Sequence, residues 1–269
     1  MDRRSILVPH DFTAVGDNAL QYAINLADII QSNVDILHVV KDEKDRAKAT
    51  AQCEKIISEL TNKPKDVAVN FHIQSGTIFT DIASKASELK SSLIIMGTHG
   101  AVGMQKLFGS FAIKVITSTQ VPFLVVQQKY TGSDLSKIVV PLDESQESLQ
   151  IEQVTSALAL LTKSEIHILT AKQIDSNLKL KNAVHSGLIS KQFKEKGLKY
   201  IPVVLPKVKG YSSDIVTYAI KEKANLIAFA YHSDSLLPAF DKFAQNLITN
   251  TDGVPVLVLN SKEAGNYFF

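Results

Sequence analysis

Residues Leu93 to Ser110 read LIIMGTHGAVGMQKLFGS, an apolar run that breaks into a glycine-rich turn and gives way, after Gly109 and Ser110, to the helical pattern FAIKVI. Glycines let backbone N–H groups approach a phosphate with no Cβ in the way, and a helix start adds unpaired donors and the positive end of the helix dipole. The stretch therefore predicts a strand feeding an anion-binding loop and then a helix. Further along, the chain repeats the stretch in altered form. Around Leu226 it reads LIAFAYHSDSLLPAFDKFAQNLI, with Ala230 and Ser233 where Gly97 and Gly100 stood, and Asp241 and Lys242 in place of Gly109 and Ser110. One half reads as built to hold a phosphorylated ligand; the other does not.

Working outward, the repetition covers the whole chain. SILVPHDFT at Ser5 to Thr13 matches KIVVPLDES at Lys137 to Ser145, which brings Asp11 onto Asp143, 132 positions on. Leu93 and Ile94 fall on Leu226 and Ile227, and VPFLVVQ from Val121 falls on VPVLVLN from Val254, at an offset of 133. Offsets of 132 or 133 throughout mean that each half carries the same elements in the same order. The expected division is one domain over residues 1–130 with an intact glycine loop and a second over 136–269 with a degenerate one, joined by the polar stretch KYTGSDLS from Lys129.

In the first half, strand-like runs at Ile6 to Val8, Val34 to Val40, Val67 to Ile73, Leu93 to Met96 and Phe123 to Val126 alternate with helical patterns. Leu20, Ala23, Ile24 and Ala27 fall on one helical face. The second half repeats the course, with strands expected at Ile138 to Val140, Ile166 to Thr170, Tyr200 to Val204, Leu226 to Phe229 and Val256 to Leu259. Alternating strands and helices predict an α/β fold with right-handed crossovers and a parallel sheet wrapped on both faces. Ligands in such sheets bind beyond the carboxyl ends of the strands, where the strand order reverses.

Composition narrows the function classes. At 269 residues and 45% apolar content the chain has material for two cores. A formal net charge of +2, from 29 basic and 27 acidic residues, gives no global field toward nucleic acid or an anionic membrane. Arginine occurs only at Arg3, Arg4 and Arg46, so backbone amides must do most of any phosphate recognition. The single cysteine, Cys53, sits in a helical pattern and is expected to be an inert structural thiol. The apolar run Ile6 to Val8 after Arg3 and Arg4 is too short for a signal peptide, so the expected location is the cytoplasm. The run KDEKDRAK from Lys41 reads as a solvated surface.

Together, the V-P-x-D turn after the first strand, the H-V-V end of the second, G-x-x-G with a later G-S, and the V-P-x-L-V-V last strand resemble the universal stress protein family in its tandem two-domain form. The resemblance implies two Rossmann-like domains, each a five-stranded parallel sheet. In the nucleotide-binding branch of that family nine residues separate the second glycine from the later one. Here Gly97, Thr98, His99 and Gly100 are followed by only eight residues before Gly109 and Ser110. Carried over by position, the resemblance implies that Pro9, Asp11 and Val39 line the adenine and ribose side. Met96, Gly97, Gly100, Gly109, Ser110 and Phe111 would border the ribose and phosphates. The implied cofactor is ATP, alone or with Mg.

The residues agree in kind. Asp11 can accept hydrogen bonds from a ribose hydroxyl or an adenine amino group, Val39 can offer its backbone to the adenine edge, and Ser110 can cap its helix while donating to a phosphate. Asp11 also has a plainer role as a helix cap, and Asp143 persists where the glycine loop does not. His99 and His232 read as loop histidines, His38 and His167 as satisfied core-edge residues, and Lys106 and Lys114 as surface lysines. No residue stands out as a catalyst. The leading expectation is an ATP-binding regulatory protein acting through an unidentified protein partner, without nucleic acid or membrane. A slow ATP-hydrolysing enzyme and a scaffold that no longer binds nucleotide are the alternatives. The last strands of the two halves are expected to pair within the chain, with a homodimer as a further option.

Overall fold

The computed structural model describes residues 3–61, 63–98, 108–127, 135–206, 208–231 and 238–261. The first half runs β1 (Ser5–Pro9), α1 (Ala14–Ile30), β2 (Asn33–Val40), a 3-10 turn, α2 (Arg46–Glu59), β3 (Val69–Ser75), α3 (Ile78–Glu88), β4 (Leu93–Thr98), α4 (Phe108–Thr117) and β5 (Phe123–Gln127). The second half repeats it as β6 (Lys137–Pro141), a 3-10 turn, α5 (Ile151–Thr162), β7 (Glu165–Ala171), α6 (Ser176–Glu195), β8 (Lys199–Leu205), α7 (Tyr211–Lys221), β9 (Leu226–Tyr231), α8 (Pro238–Ile248) and β10 (Val256–Asn260). Every anticipated strand is present, with β3 starting two residues later than the apolar pattern suggested, at Val69. Most of the proposed linker lies outside the described residues.

The strands form one ten-stranded sheet in the order β3-β2-β1-β4-β5-β10-β9-β6-β7-β8. All neighbours are parallel except β5 and β10, which meet antiparallel. The molecule is thus two Rossmann-like halves, each five-stranded and parallel, fused edge to edge. At the seam Phe123 faces Val258, Leu124 faces Leu257 and Val125 faces Val256. With an offset of 133, Leu257 is the counterpart of Leu124, so a pseudo-two-fold axis passes through that pair.

Strand side chains alternate between two cores. Leu124 and Val126 join a core roofed by α1, α2, α5 and α6, which includes Leu20, Ala23, Ile24, Cys53, Val154 and Phe193. Phe123 and Val125 join the opposite core, roofed by α3, α4, α7 and α8 through Ile82, Val115, Ile215 and Leu247. Each core runs unbroken across the seam, because a pleated strand feeds both faces. Polar side chains mirror this symmetry. Gln127 Nε2 donates to the carbonyl of Ile248 at 3.0 Å, and its counterpart Asn260 donates to the carbonyls of Thr117 and Thr119 at 3.3 and 3.4 Å. Each half thereby ties off the end of the other half's last helix.

Candidate functional site

Strand order reverses between β1 and β4. α1 and α2 lean to one face and α3 and α4 to the other, so the chain parts there and leaves a crevice at the carboxyl edge. The turn after β1 forms one wall. Asp11 Oδ1 accepts from the Thr13 amide at 3.2 Å and from its hydroxyl at 2.6 Å, and Thr13 in turn caps α1 by accepting from the Gly16 amide at 3.3 Å. Thr13 is therefore the cap, and Asp11 braces it. Asp11 is exposed, and its second oxygen takes no hydrogen bond among the described residues. Asp143 repeats the arrangement, bracing Ser145, which accepts from the Ser148 amide.

His10 and Phe12 complete this wall, and the sequence reading had not singled them out. Phe12 adopts φ 62°, a left-handed conformation unusual for a bulky residue, whereas its counterpart Glu144 does not. Its ring stacks on His38 with centroids 4.1 Å apart. His38 Nδ1 donates to the His10 carbonyl at 2.7 Å, and His10 Nδ1 accepts from the Phe12 amide at 3.0 Å. The proton of a neutral His10 then sits on Nε2, 3.2 Å from Asp17 Oδ1 but out of line for a full hydrogen bond. Burial lowers the His10 pKa below its ordinary 6.5, against the opposing pull of Asp17 and Asp11. The only sequence signal for the cluster is the run Pro9-His10-Asp11-Phe12, which carries no periodicity.

The end of β2 supplies the second element. The Val40 carbonyl faces β3, accepting from the Gly76 amide at 3.0 Å. Backbone groups alternate along a strand, so Val39 turns its N–H and C=O the other way, toward β1. Pairing with β1 has ended by then, the last bond being His10 N–H to the Leu37 carbonyl at 2.9 Å. Val39 thus presents a donor and an acceptor side by side at the sheet edge. Its side chain and that of Met96 on β4 pack against the core under α3 and α4.

Gly97 follows Met96, and its bare Cα has a definite packing cause. A Cβ there would stand 2.3 Å from the Val15 carbonyl oxygen and 2.6 Å from Val15 Cγ1, so glycine is what lets α1 lie close over β4. Gly100, His99, Lys106 and His232 lie outside the described residues. α4 is described from Phe108, so Gly109 and Ser110 lie within the helix and not before it. Ser110 therefore does not cap this helix, the role its place after the glycines had suggested. The side chains of Ser110 and Phe111 are outside the description, while Pro9, Asp11, Val39, Met96 and Gly97 are brought together at one edge.

The remaining sequence candidates have structural roles. His167 is buried between Tyr218, at 2.7 Å, and Glu165, at 2.8 Å. Cys53 is wholly buried on α2, and burial pushes its thiol up to about 11. Lys41 to Lys48 are mostly exposed. Among the described residues no group of three metal-ligating side chains gathers and no helix is long and apolar enough to cross a membrane.

Comparison with known proteins adds the family. The model of the universal stress protein family matches residues 2–127. A universal stress protein of Methanocaldococcus jannaschii is 30% identical over 140 residues, covering 46% of this chain and 82% of the relative. Among solved structures, a universal stress protein from Archaeoglobus fulgidus superposes with a TM-score of 0.72 at 17% identity, covering 96% of this chain and 98% of that one. A functionally unknown protein from Pseudomonas aeruginosa gives 0.64 at 15% identity, with 98% and 95% coverage. At those identities the structural likeness speaks for the fold, including its tandem arrangement.

Proposed function

Because this chain belongs to the universal stress protein family, we propose that it is an ATP-binding regulatory protein whose nucleotide is held by a unit over residues 1–130, with a unit over 136–269 that lacks a working loop. The observation that carries this reading is the edge geometry of the first half. Among the described residues the N–H and C=O of Val39 and the second carboxylate oxygen of Asp11 take no hydrogen bond, beside the point where strand order reverses. An adenine edge complements the pair of backbone groups, and a ribose hydroxyl complements the carboxylate. Phosphates would then run over Met96 and Gly97 toward Gly100, Gly109, Ser110 and Phe111 at the start of α4, where first-turn amides and the helix dipole favour negative charge.

The reading is one of occupancy, not turnover. In this placement the open oxygen of Asp11 is taken by the ribose, away from the phosphates, and His10 is buried, so neither is placed to take a proton from a water attacking a phosphate. ATP, alone or with Mg, would act as a signal that alters contacts with a protein partner, most simply by ordering the edge around the glycine loop.

The test is to release and identify nucleotide from freshly purified protein and to titrate the emptied chain with ATP by calorimetry. One ATP per chain is expected, with loss of binding but not of fold in Gly100→Val. Melting temperature should rise with ATP, since a ligand bound only by the native state contributes about 2.7 kcal/mol at a hundred times its Kd. Two equivalent sites, or a melt indifferent to millimolar ATP, would overturn the reading, and steady ADP release would replace it with slow hydrolysis.

A further inference from the structure

In the second half the corresponding edge is capped by the protein's own side chains. Register is the same in both halves, Pro9 opposite Leu37 and Pro141 opposite Leu169. Lys172 faces the outer strand, donating to the Leu205 carbonyl at 2.8 Å, so Ala171 turns its N–H and C=O inward as Val39 does. The Ala171 carbonyl, however, accepts from Asn182 Nδ2 at 3.1 Å. The Tyr211 hydroxyl lies 2.8 Å from the carbonyls of both Leu142, just past the end of β6, and Leu169, two residues before Ala171 on β7. Leu142 and Leu169 are the counterparts of His10 and Leu37, 132 positions on.

The two capping residues arrive from opposite faces. Asn182 is on the buried side of α6, and Tyr211 opens α7, its ring stacked on Phe243 at 6.0 Å. Among the described residues the first half has neither group at its edge. Where α7 opens on Tyr211, α3 opens on Ile78, which is 39% exposed, and where α6 buries Asn182 the buried residues of α2 are Ala49 and Cys53. The backbone differs to match: Gly210 before Tyr211 has φ 111°, a left-handed value, while Thr77 before Ile78 is extended at −126°. Beside Ala171 and Asn182 a cavity of about 370 Å³ already opens between α6 and the ends of β7 and β8.

We propose that the second half keeps a base-binding seat which Asn182 and Tyr211 occupy, and that removing them admits a planar purine-type base with N–H donors on its edge. Asn182 presents an amide N–H to Ala171 as the amino group of such a base would, and Tyr211 fills the adjoining space with an aromatic ring and one further donor. The ligand class follows: a nucleoside, held by base contacts alone, since Asp241 and Lys242 stand where the phosphate-side Gly109 and Ser110 stand in the first half. The proposal rests on the placement of adenine against Val39 given above. It also explains why one chain would take one nucleotide. The second edge is not merely short of glycines; its acceptors are already satisfied.

The experiment measures adenosine bound per full-length chain by equilibrium dialysis, for wild type and for Asn182→Ala/Tyr211→Ile, which removes both capping side chains. The double variant should bind one adenosine more than wild type. A double variant with native circular dichroism and a cooperative melt that binds no more than wild type overturns the proposal. Should the double variant not fold, Asn182→Ala alone decides, because it frees the Ala171 carbonyl beside the existing cavity. A folded single variant with no gain in adenosine is then the overturning result. If wild type binds no nucleotide while the variant gains one site, the first-half reading fails and this one stands.

Discussion

Gly97 shows how one residue can satisfy two demands. The sequence placed it in a glycine loop for close approach to phosphate, but its nearest neighbour is the carbonyl of Val15, which a Cβ would meet at 2.3 Å. Backbone on a packed helix cannot step aside cheaply, so Gly97→Ala should lower stability by about 1–3 kcal/mol, read from the urea midpoint, whether or not nucleotide is present. An unchanged midpoint would mean that α1 can move off β4. His10 makes the second prediction. Its folded pKa is depressed by burial below the ordinary 6.5, so as pH falls through that value the unfolded chain takes up a proton that the folded chain resists. The contribution is fully present above pH 6.5 and is lost as pH falls toward the folded value. Unfolding free energy should therefore drop between pH 7.5 and about 5.5, with a shallower slope in His10→Gln; equal slopes in the two proteins would refute the assignment.

At the scale of elements, the duplicated β–turn–α corner allows an internal control. Asp11 and Asp143 brace hydroxyls that accept from an amide three residues on, Thr13 as the cap of α1 and Ser145 ahead of the 3-10 turn before α5, but only Asp11 stands on the edge proposed to bind nucleotide. Asp143→Ala and Asp11→Ala should each cost about 0.5–1.5 kcal/mol of stability, the usual net worth of such a hydrogen bond. Only Asp11→Ala should weaken ATP binding in calorimetry, and equal effects of both on binding would remove Asp11 from the site. The corners also show what a sequence discloses. Ten strands were legible because apolar runs bounded by turn residues are set by local pattern, and the duplication confirmed each run twice. That Gly109 and Ser110 lie inside α4 was not, since a helix end depends on which N–H groups find partners and the glycine pattern says nothing of that. Pro9, Asp11 and Val39 were named through the family resemblance, and the fold sets them at the ends of β1 and β2 on one sheet edge. Phe12, His10 and the capping pair Asn182 and Tyr211 were missed, because a left-handed residue, a ring stack and a side chain reaching across from another helix leave no periodic trace.

For the whole molecule, the seam decides how the halves depend on one another. The sequence suggested that two apolar last strands would cover each other, and β5 and β10 do meet, antiparallel, about the Leu124–Leu257 pair. Val125 and Val258 are wholly buried in the core under α3, α4, α7 and α8, which is continuous across the seam, as is the core on the other face. Such continuity predicts that the two halves unfold together. A charge at Val258 would be desolvated between the halves with no partner built for it, at a cost of several kcal/mol. Val258→Lys, although it lies in the second half, should therefore lower the melting temperature of the whole chain. The same substitution should reduce the ATP affinity of the first half, because β5, which carries β4 and Met96 in register, loses its covering strand. Differential scanning calorimetry with and without ATP checks both parts. Two separate transitions, with the ATP-responsive one unmoved by Val258→Lys, would show that the halves are independent units merely joined by their chain, and that the second is not retained as the structural partner of the first.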